Sequence, residues 1–486
     1  MTLTDALRTA TNSLNTSSKV LSTVSRNITG VNNPDYVRRD ARVYSDPLFS
    51  SRVQVAREVN TSIFSASISA TSNFSRSSAI LSGLDQLARL QGGDGFTETA
   101  ASSLQQLRQS LELAAANPSN EMLLSQAVLG AQGFANTANN TYEGILRLRQ
   151  EADASIADGV SKLNELLARF EETNTTIVKA TMTGQEAFDS EDTRDVLINE
   201  ISELVGLSVI RRENNDMMLV ASNGAVLFDR KPREVSFEPI PIYGPNTTGN
   251  AVMVDGVPIA GANSLPIHSG SLVGQMELRD NILVQQQNQM DEIARAAIEL
   301  FAETDQTGGG KPPLAGLFTW SGGPAVPASG VLEPGIALSL AVNPLVDPAQ
   351  GGDVRLLRDG GINGDPDYVS NTGGATGFAD RLFELSMALD TQITFDGQAG
   401  LGSAMSLSAF ASGSLDSLQQ TRQEISDRAA YEQDFASHIK QTLQEDSGPN
   451  LDYEMAALLQ VERAYQASAK VMSAVDKLLM QLLQAV

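Results

Sequence analysis

The sequence predicts a mainly α fold with inserted β: a discontinuous long-helix bundle formed by both termini, with β-rich and loop-rich insert domains. Three observations predict it. Apolar residues recur in a heptad seam at each end of the chain. The period changes to two shortly after residue 205, and residues 305–375 gather Gly and Pro without a sustained period.

From the start, Leu3, Leu7, Ala10, Leu14, Ser17, Leu21, Val24 and Ile28 alternate steps of four and three, the a/d seam of a helix that pairs with another. Thr2 or Thr4 caps its start, and Gly30 with Asn32, Asn33 and Pro34 ends it. Such a helix is about 40 Å long at 1.5 Å per residue. Residues 52–90 read as a Ser-rich helix, and further helices are predicted at 97–116, 119–150, 152–182 and 191–205. Asn117, Pro118 and Ser119 make a turn, with Ser119 capping the helix that follows.

Strands are predicted at 207–212, 217–221 and 225–228, separated by Asn214-Asn215-Asp216 and Ser222-Asn223-Gly224 turns, with 235–237 and 251–254 continuing the β-rich insert. Helix returns from about Gly270 to Glu303, gives way to the loop-rich insert, and resumes at 378–389. A weaker seam over 414–444 (Leu418, Arg422, Ile425, Ala429, Glu432, Ala436, Ile439, Leu443) is interrupted by charge. The last helix follows Gly448-Pro449-Asn450, with Asn450 as its cap. Its seam is Leu458, Val461, Tyr465, Ser468, Met472, Val475, Leu479, Leu482 and Val486.

Composition narrows the function. Lys plus Arg is 34 against 58 Asp plus Glu, a net charge of −24, which repels nucleic acid and anionic membrane surfaces. The absence of Cys excludes disulfides, thiolate nucleophiles and Cys-based zinc sites, and His268 and His438 are too few for a multi-histidine centre. No stretch has the roughly 20 apolar residues a membrane span needs. The first ten residues lack the basic and apolar regions of a cleaved signal. The low aromatic content of 5% suits helices packed through small side chains.

Candidate chemistry is sparse, and we predict no catalytic residues, cofactor or metal. Asp359, Asn363, Asp365 and Asp367 have part of a calcium-loop spacing, but Tyr368 stands where the turn wants Gly and Gly374 where the closing Glu belongs. A solvated loop is the simpler reading. Glu165, Glu171 and Glu172 lie on an exposed helix face, and the Ser-rich stretch 65–82 has no base beside it. His268 and His438 read as surface or packing residues, and Trp320 as an anchor of the small insert.

Three sets of residues carry a family resemblance. After the first helix come Ser25, Asn27, Ile28, Thr29, Asn32, Tyr36 and Arg38, at positions that resemble the N-terminal signature of bacterial flagellar rod, hook and hook-associated proteins. Two departures stand out. Gly30 replaces the usual Asn, and Asp35 the usual Gly, a position where Gly would permit positive φ. Asn450, Leu451, Asp452 and Glu454, with Tyr465, Ala467, Ser468 and Ala469, are similar to the C-terminal pattern of the same proteins, Tyr453 replacing an acidic position. Internally, residues 192–206, with Asp192, Arg194, Asp195, Glu200 and Gly206, and residues 270–276, with Gly270, Leu272, Gly274 and Met276, resemble segments of the hook-associated protein 1 branch.

The resemblance implies an axial structural subunit that leaves the cell by flagellar type III export. It implies contacts with further copies of itself, the hook protein, a second hook–filament junction protein, and an export chaperone that holds the C-terminal helix. The expected division is 1–50 plus 445–486 as a terminal coiled-coil assembly domain, and 51–206, 270–303 and 376–444 as a helical bundle. Residues 207–269 form a β-hairpin insert and 304–375 an outer loop-rich insert. The expected assembly interface is Leu3, Leu7, Leu14, Leu21, Val24, Ile28, Leu458, Val461, Tyr465, Met472, Val475, Leu479 and Leu482. Ser25, Asn27, Ile28, Asn32, Tyr36 and Arg38 are the family-motif residues. Seams this short are marginal alone, so the ends are expected to gain order on assembly.

Overall fold

A computed structural model describes residues 3–44, 52–95, 97–261 and 267–484. Val486 of the C-terminal seam lies outside the described residues, as does the side chain of Leu482. Within them the predicted class holds: long helices dominate and the sheets are small. In chain order, α1 (Leu3–Gly30) leads into strands β1 (Arg39–Tyr44) and β2 (Arg52–Arg57). Helices α2 (Thr61–Leu90), α3 (Ala100–Ala116), α4 (Glu121–Met182) and α5 (Phe188–Leu204) follow. Strands β3 (Leu207–Arg211), β4 (Met217–Ala221), β5 (Val226–Asp229) and β6 (Lys231–Pro232) form one antiparallel sheet in that order. Strands β7 (Val235–Ser236), β8 (Val252–Val254) and β9 (Val257–Ala260) form another.

The chain then continues through α6 (Ser271–Glu277), a π-helical turn, and α7 (Leu283–Leu300). The loop-rich insert contributes only two-residue strands, β10 (Phe318–Thr319) and β11 (Ala341–Val342), and single-turn helices α8 (Ile336–Ser339) and α9 (Leu356–Asp359). After α10 (Asp380–Ala388) and the β12 (Gln392–Thr394) and β13 (Ala404–Ser406) pair come α11 (Leu407–Ser447) and α12 (Leu451–Gln484).

These elements build two compact units. One comprises Met1–Phe74, Leu163–Glu234 and Tyr431–Val486, the other Ser75–Lys162 and Val235–Ala430. The units cut across the four segments read from the sequence, because α2, α4 and α11 each contribute to both. The β-rich insert divides as well: β3–β6 belong to the first unit and β7–β9 to the second.

Several local readings are corrected. Residues 52–57 are not helical. They pair antiparallel with β1, Arg39 opposite Arg57 through Tyr44 opposite Arg52, as the period-two alternation Arg52-Val53-Gln54-Val55 permits. Helix α2 starts only after Asn60, whose side chain accepts from the Ser62 and Ile63 amides. The helices predicted at 119–150 and 152–182 are one helix, since no Gly or Pro interrupts it near 151. Its cap is Asn120, accepting from the Met122 amide at 3.0 Å, rather than Ser119. Helix α3 carries a capping box between Thr99 and Ser102.

The core of the second unit is contributed by α4 at Leu124, Ala127, Ala131, Phe134, Ala138, Tyr142 and Ile145 and by α7, buried on nearly every side. Phe318 anchors the loop-rich insert there, edge-on to Phe134 and Phe301 at 5.5 and 5.1 Å. Trp320 packs at the margin of that core and donates its Nε1–H to the Ala325 carbonyl at 2.8 Å. In the first unit Phe170 of α4 meets Phe228 of β5 edge-on at 4.8 Å.

Candidate functional site: the paired terminal helices

Helices α1 and α12 pack against each other within one chain. Ser13 and Ser468 share a hydroxyl hydrogen bond at 2.8 Å, and the Thr11 hydroxyl faces the Met472 sulfur at 3.9 Å. The order of these two contacts makes the pair antiparallel. Along the seam Val24 and Val475 are buried. Leu3, Leu7, Leu14, Leu21, Ile28, Leu458, Val461, Met472 and Leu479 are partly buried, and Tyr465 is exposed. Ala10 and Ser17, the small seam residues, are buried too, which lets the two backbones approach closely.

The turn after α1 explains the motif residues. Asn27 is 1% exposed. Its Nδ2 donates to the Arg39 carbonyl at 2.9 Å, and its Oδ1 accepts from the Arg39 amide at 3.1 Å and the Tyr36 hydroxyl at 3.0 Å. One amide side chain thus stands in for a strand partner and fixes where β1 begins. Burial raises the Tyr36 hydroxyl above its ordinary pKa, keeping it a donor. The Tyr36 ring lies against Gly30, where an added Cβ would stand 2.6 Å from ring carbons. The departure that matters is therefore Gly30. Asp35 needs no positive φ, because it is absent from the residues in that region, and its amide donates to Asn33 Oδ1 at 3.1 Å. Ser25 and Asn32 are exposed.

Arg38 joins the two ends of the chain. Its Nε donates to the buried Glu454 carboxylate of α12 at 2.7 Å, its guanidinium lies 4.7 Å over the Tyr453 ring, and its amide donates to the Ser447 carbonyl at 2.7 Å. Asn450 caps α12 through the Tyr453 amide at 3.1 Å. Tyr453, which departs from the acidic pattern, thus forms the face on which Arg38 stacks.

Sequence reasoning missed the acidic face of α5. Arg57 of β2 bonds Asp192 at 2.7 Å and Asp195 at 2.6 Å, and Arg39 pairs with Asp189 and Asp192. Burial raises the Asp192 carboxyl even beside these arginines. Arg194, in the same segment, is buried against Asn174 and Asn215, and that burial lowers it to about 10. The signal was present as the Asp192–Arg194–Asp195 spacing, but its partners lie far away in sequence.

Helix α12 also carries a second stripe that α1 does not cover. Ala464, Ala467, Val471, Ala474 and Leu478 again step by three and four, and all are exposed. They stand roughly 110° around the helix from the seam at about 100° per residue. Met480 and Leu459 add further exposed apolar surface. The outer face of α1 is instead polar, with Arg8, Asn15, Lys19, Ser22 and Arg26 exposed.

In the loop-rich insert, the residues with calcium-loop spacing are otherwise engaged. Lys311 Nζ bonds Asp365 at 2.8 Å and Asp367 at 2.6 Å, Asn363 donates to Glu303, and Asp359 pairs with Arg358.

Residues 92–311 match the model of the flagellar hook-associated protein FlgK helical domain, and residues 440–485 that of the flagellar basal body rod FlgEFG protein C-terminal region. The flagellar hook-associated protein 1 of Bacillus subtilis is 23% identical over 97% of this chain and 96% of its own length. Along nearly its whole length the chain is similar to the flagellar hook-associated protein 1 family. The Escherichia coli and Salmonella typhimurium proteins of that name are each 24% identical, and the alignments span only 58% and 55% of their lengths. The flagellar hook junction protein FlgK of Burkholderia pseudomallei shares the fold, with a TM-score of 0.57 at 12% identity, over 78% of this chain and 99% of that one. These matches together support a structural role in the flagellum. The C-terminal match coincides with α12 and the end of α11.

Proposed function

We propose that this chain joins the flagellar hook to the filament by assembling with copies of itself into an axial ring or tube, through the α1–α12 pair. The exposed stripe Ala464–Ala467–Val471–Ala474–Leu478 carries the reading. The intramolecular pair uses one face of α12, so a second heptad face remains for a neighbour. A helix presenting two such faces supports head-to-tail contacts, which close into rings or propagate as tubes. On this reading residues 1–50 and 445–486 are the assembly domain. The seam residues brace the pair, while Tyr465 faces a neighbouring copy.

The same reading takes the hook protein and a second junction protein as neighbours along the axis. An export chaperone covers the apolar face of α12 before type III export, and the protein resides outside the cell in the flagellum. It is a structural part and not an enzyme, with no cofactor. The test is electron microscopy of cells carrying an in-frame deletion of this gene, with an assay of flagellin in the medium. Hooks without filaments, with unpolymerised flagellin outside, are expected. Intact filaments or missing hooks would refute the assignment.

A further inference from the structure

The first unit contains a groove walled by α1, β2 and the residues preceding α5. It is lined by Lys19, Arg26, Arg39, Val53, Glu186 and Phe188, among others. Lys19, Ser22 and Arg26 follow one another by three and four along the exposed face of α1. Neither Lys19 nor Arg26 has an ion-pair partner among the described residues. On the floor, the Arg39 guanidinium lies 5.5 Å from the centre of the Phe188 ring, and its buried Nε has no hydrogen-bond partner there. Arg39 is already held by Asp189 and Asp192, so two unpaired cations, Lys19 and Arg26, face one carboxylate, Glu186, in a chain whose net charge is −24.

The imbalance runs from one end of the chain to the other. Residues 1–74 contain eight Lys and Arg against five Asp and Glu, and residues 431–486 four against eight. Asp434, Glu445, Asp446, Asp452, Glu462 and Asp476 of the latter are all exposed. Resting on the self-assembly reading above, we propose that this basic groove is an interface between copies and receives an acidic side chain from residues 431–486 of a second copy. Opposite potentials at the two surfaces fix the register of neighbours and speed their encounter, while like charges placed there disfavour the contact. The apolar wall of Val53 and Phe188 keeps water from one side of the ion pair, which strengthens it relative to an open surface pair.

The test uses purified flagella treated with a zero-length carbodiimide, which joins an amine only to a carboxylate in contact with it. Products of dimer mass are digested and sequenced. The expected product links Lys19 to a carboxylate within 431–486, and Lys19→Arg removes that link while filaments still form. The double variant Lys19→Glu/Arg26→Glu is expected to lower the fraction of filament-bearing cells by more than about tenfold, with the circular dichroism of the monomer unchanged. Links between copies at other sites but none from Lys19 to 431–486, or normal filaments in the double variant, would overturn this inference and leave self-assembly standing. No link between copies anywhere would overturn the self-assembly reading itself.

Discussion

Asn27→Ala removes the side chain that ties α1 to the start of β1. The asparagine makes three hydrogen bonds at 2.9–3.1 Å in a site 1% exposed to solvent. Alanine fills the space poorly and leaves the Arg39 amide, the Arg39 carbonyl and the Tyr36 hydroxyl without partners. A buried polar group stranded in this way costs about 1–3 kcal/mol. Partial rescue by entering water makes a total on the order of 3–5 kcal/mol reasonable. At about 1.4 kcal/mol per tenfold, that corresponds to a roughly 10²- to 5 × 10³-fold rise in the open population of the turn. Hydrogen exchange of the monomer reads it directly. The Arg39 amide should lose protection by that factor, while α7 amides in the other unit keep theirs. Equal Arg39 exchange in variant and parent would show that the asparagine is not the clamp described here.

Other perturbations probe the seam, the turn and the second unit. Val475→Asp places a carboxylate at a seam position 5% exposed and should cost about 3 kcal/mol or more. Motility should vanish while α3 and α7 keep their exchange protection; motile cells would count against the pair. Gly30→Ala sets a methyl 2.6 Å from the Tyr36 ring and should destabilise the first unit by about 1–3 kcal/mol, seen as a lower urea midpoint. An unchanged midpoint would mean the ring is free to move. Asp291 is fully buried, accepting from the Gly335 and Ala337 amides and the Tyr142 hydroxyl, and burial raises its carboxyl to about 7. A carboxyl raised on folding stabilises below its unfolded value and loses that contribution as pH rises toward 7, on the order of 4 kcal/mol in all. Asp291→Asn should therefore flatten the decline in stability between about pH 4 and 7; parallel pH curves would refute it. Limited proteolysis of the monomer should trim both ends toward a core near residues 50–440, since α12 exposes most of its surface; cleavage elsewhere first would contradict the marginal pairing.

The parts of this molecule legible in its sequence were those governed by short period. The seams of α1 and α12, the strands after residue 205 and the caps at Asn450 and Gly30 follow from spacing alone. Hairpin β1–β2 escaped because the Ser-rich helix beginning at Thr61 dominates the window that contains Arg52–Arg57. The unbroken α4 escaped because a heptad register drifts over 62 residues. The motif residues were legible as a resemblance, but what they do was not. Asn27 acts on Tyr36 and Arg39 through a turn, and Arg38 reaches Glu454 from the other end of the chain. Contacts of that separation have no periodic trace. The same limit hid the Arg57 pairing with Asp192 and Asp195, and it reversed the importance of Gly30 and Asp35. Backbone conformation at Asp35 was the natural suspicion, whereas ring packing at Gly30 decides the turn.

Electron cryomicroscopy of the hook–filament junction in wild-type flagella tests the central claim most directly. The account predicts α1 and α12 of each copy paired as they are within one chain, with Ala464, Val471 and Leu478 buried against a neighbouring copy. A junction in which that stripe faces solvent, or in which copies meet only through residues of the second unit, would contradict it.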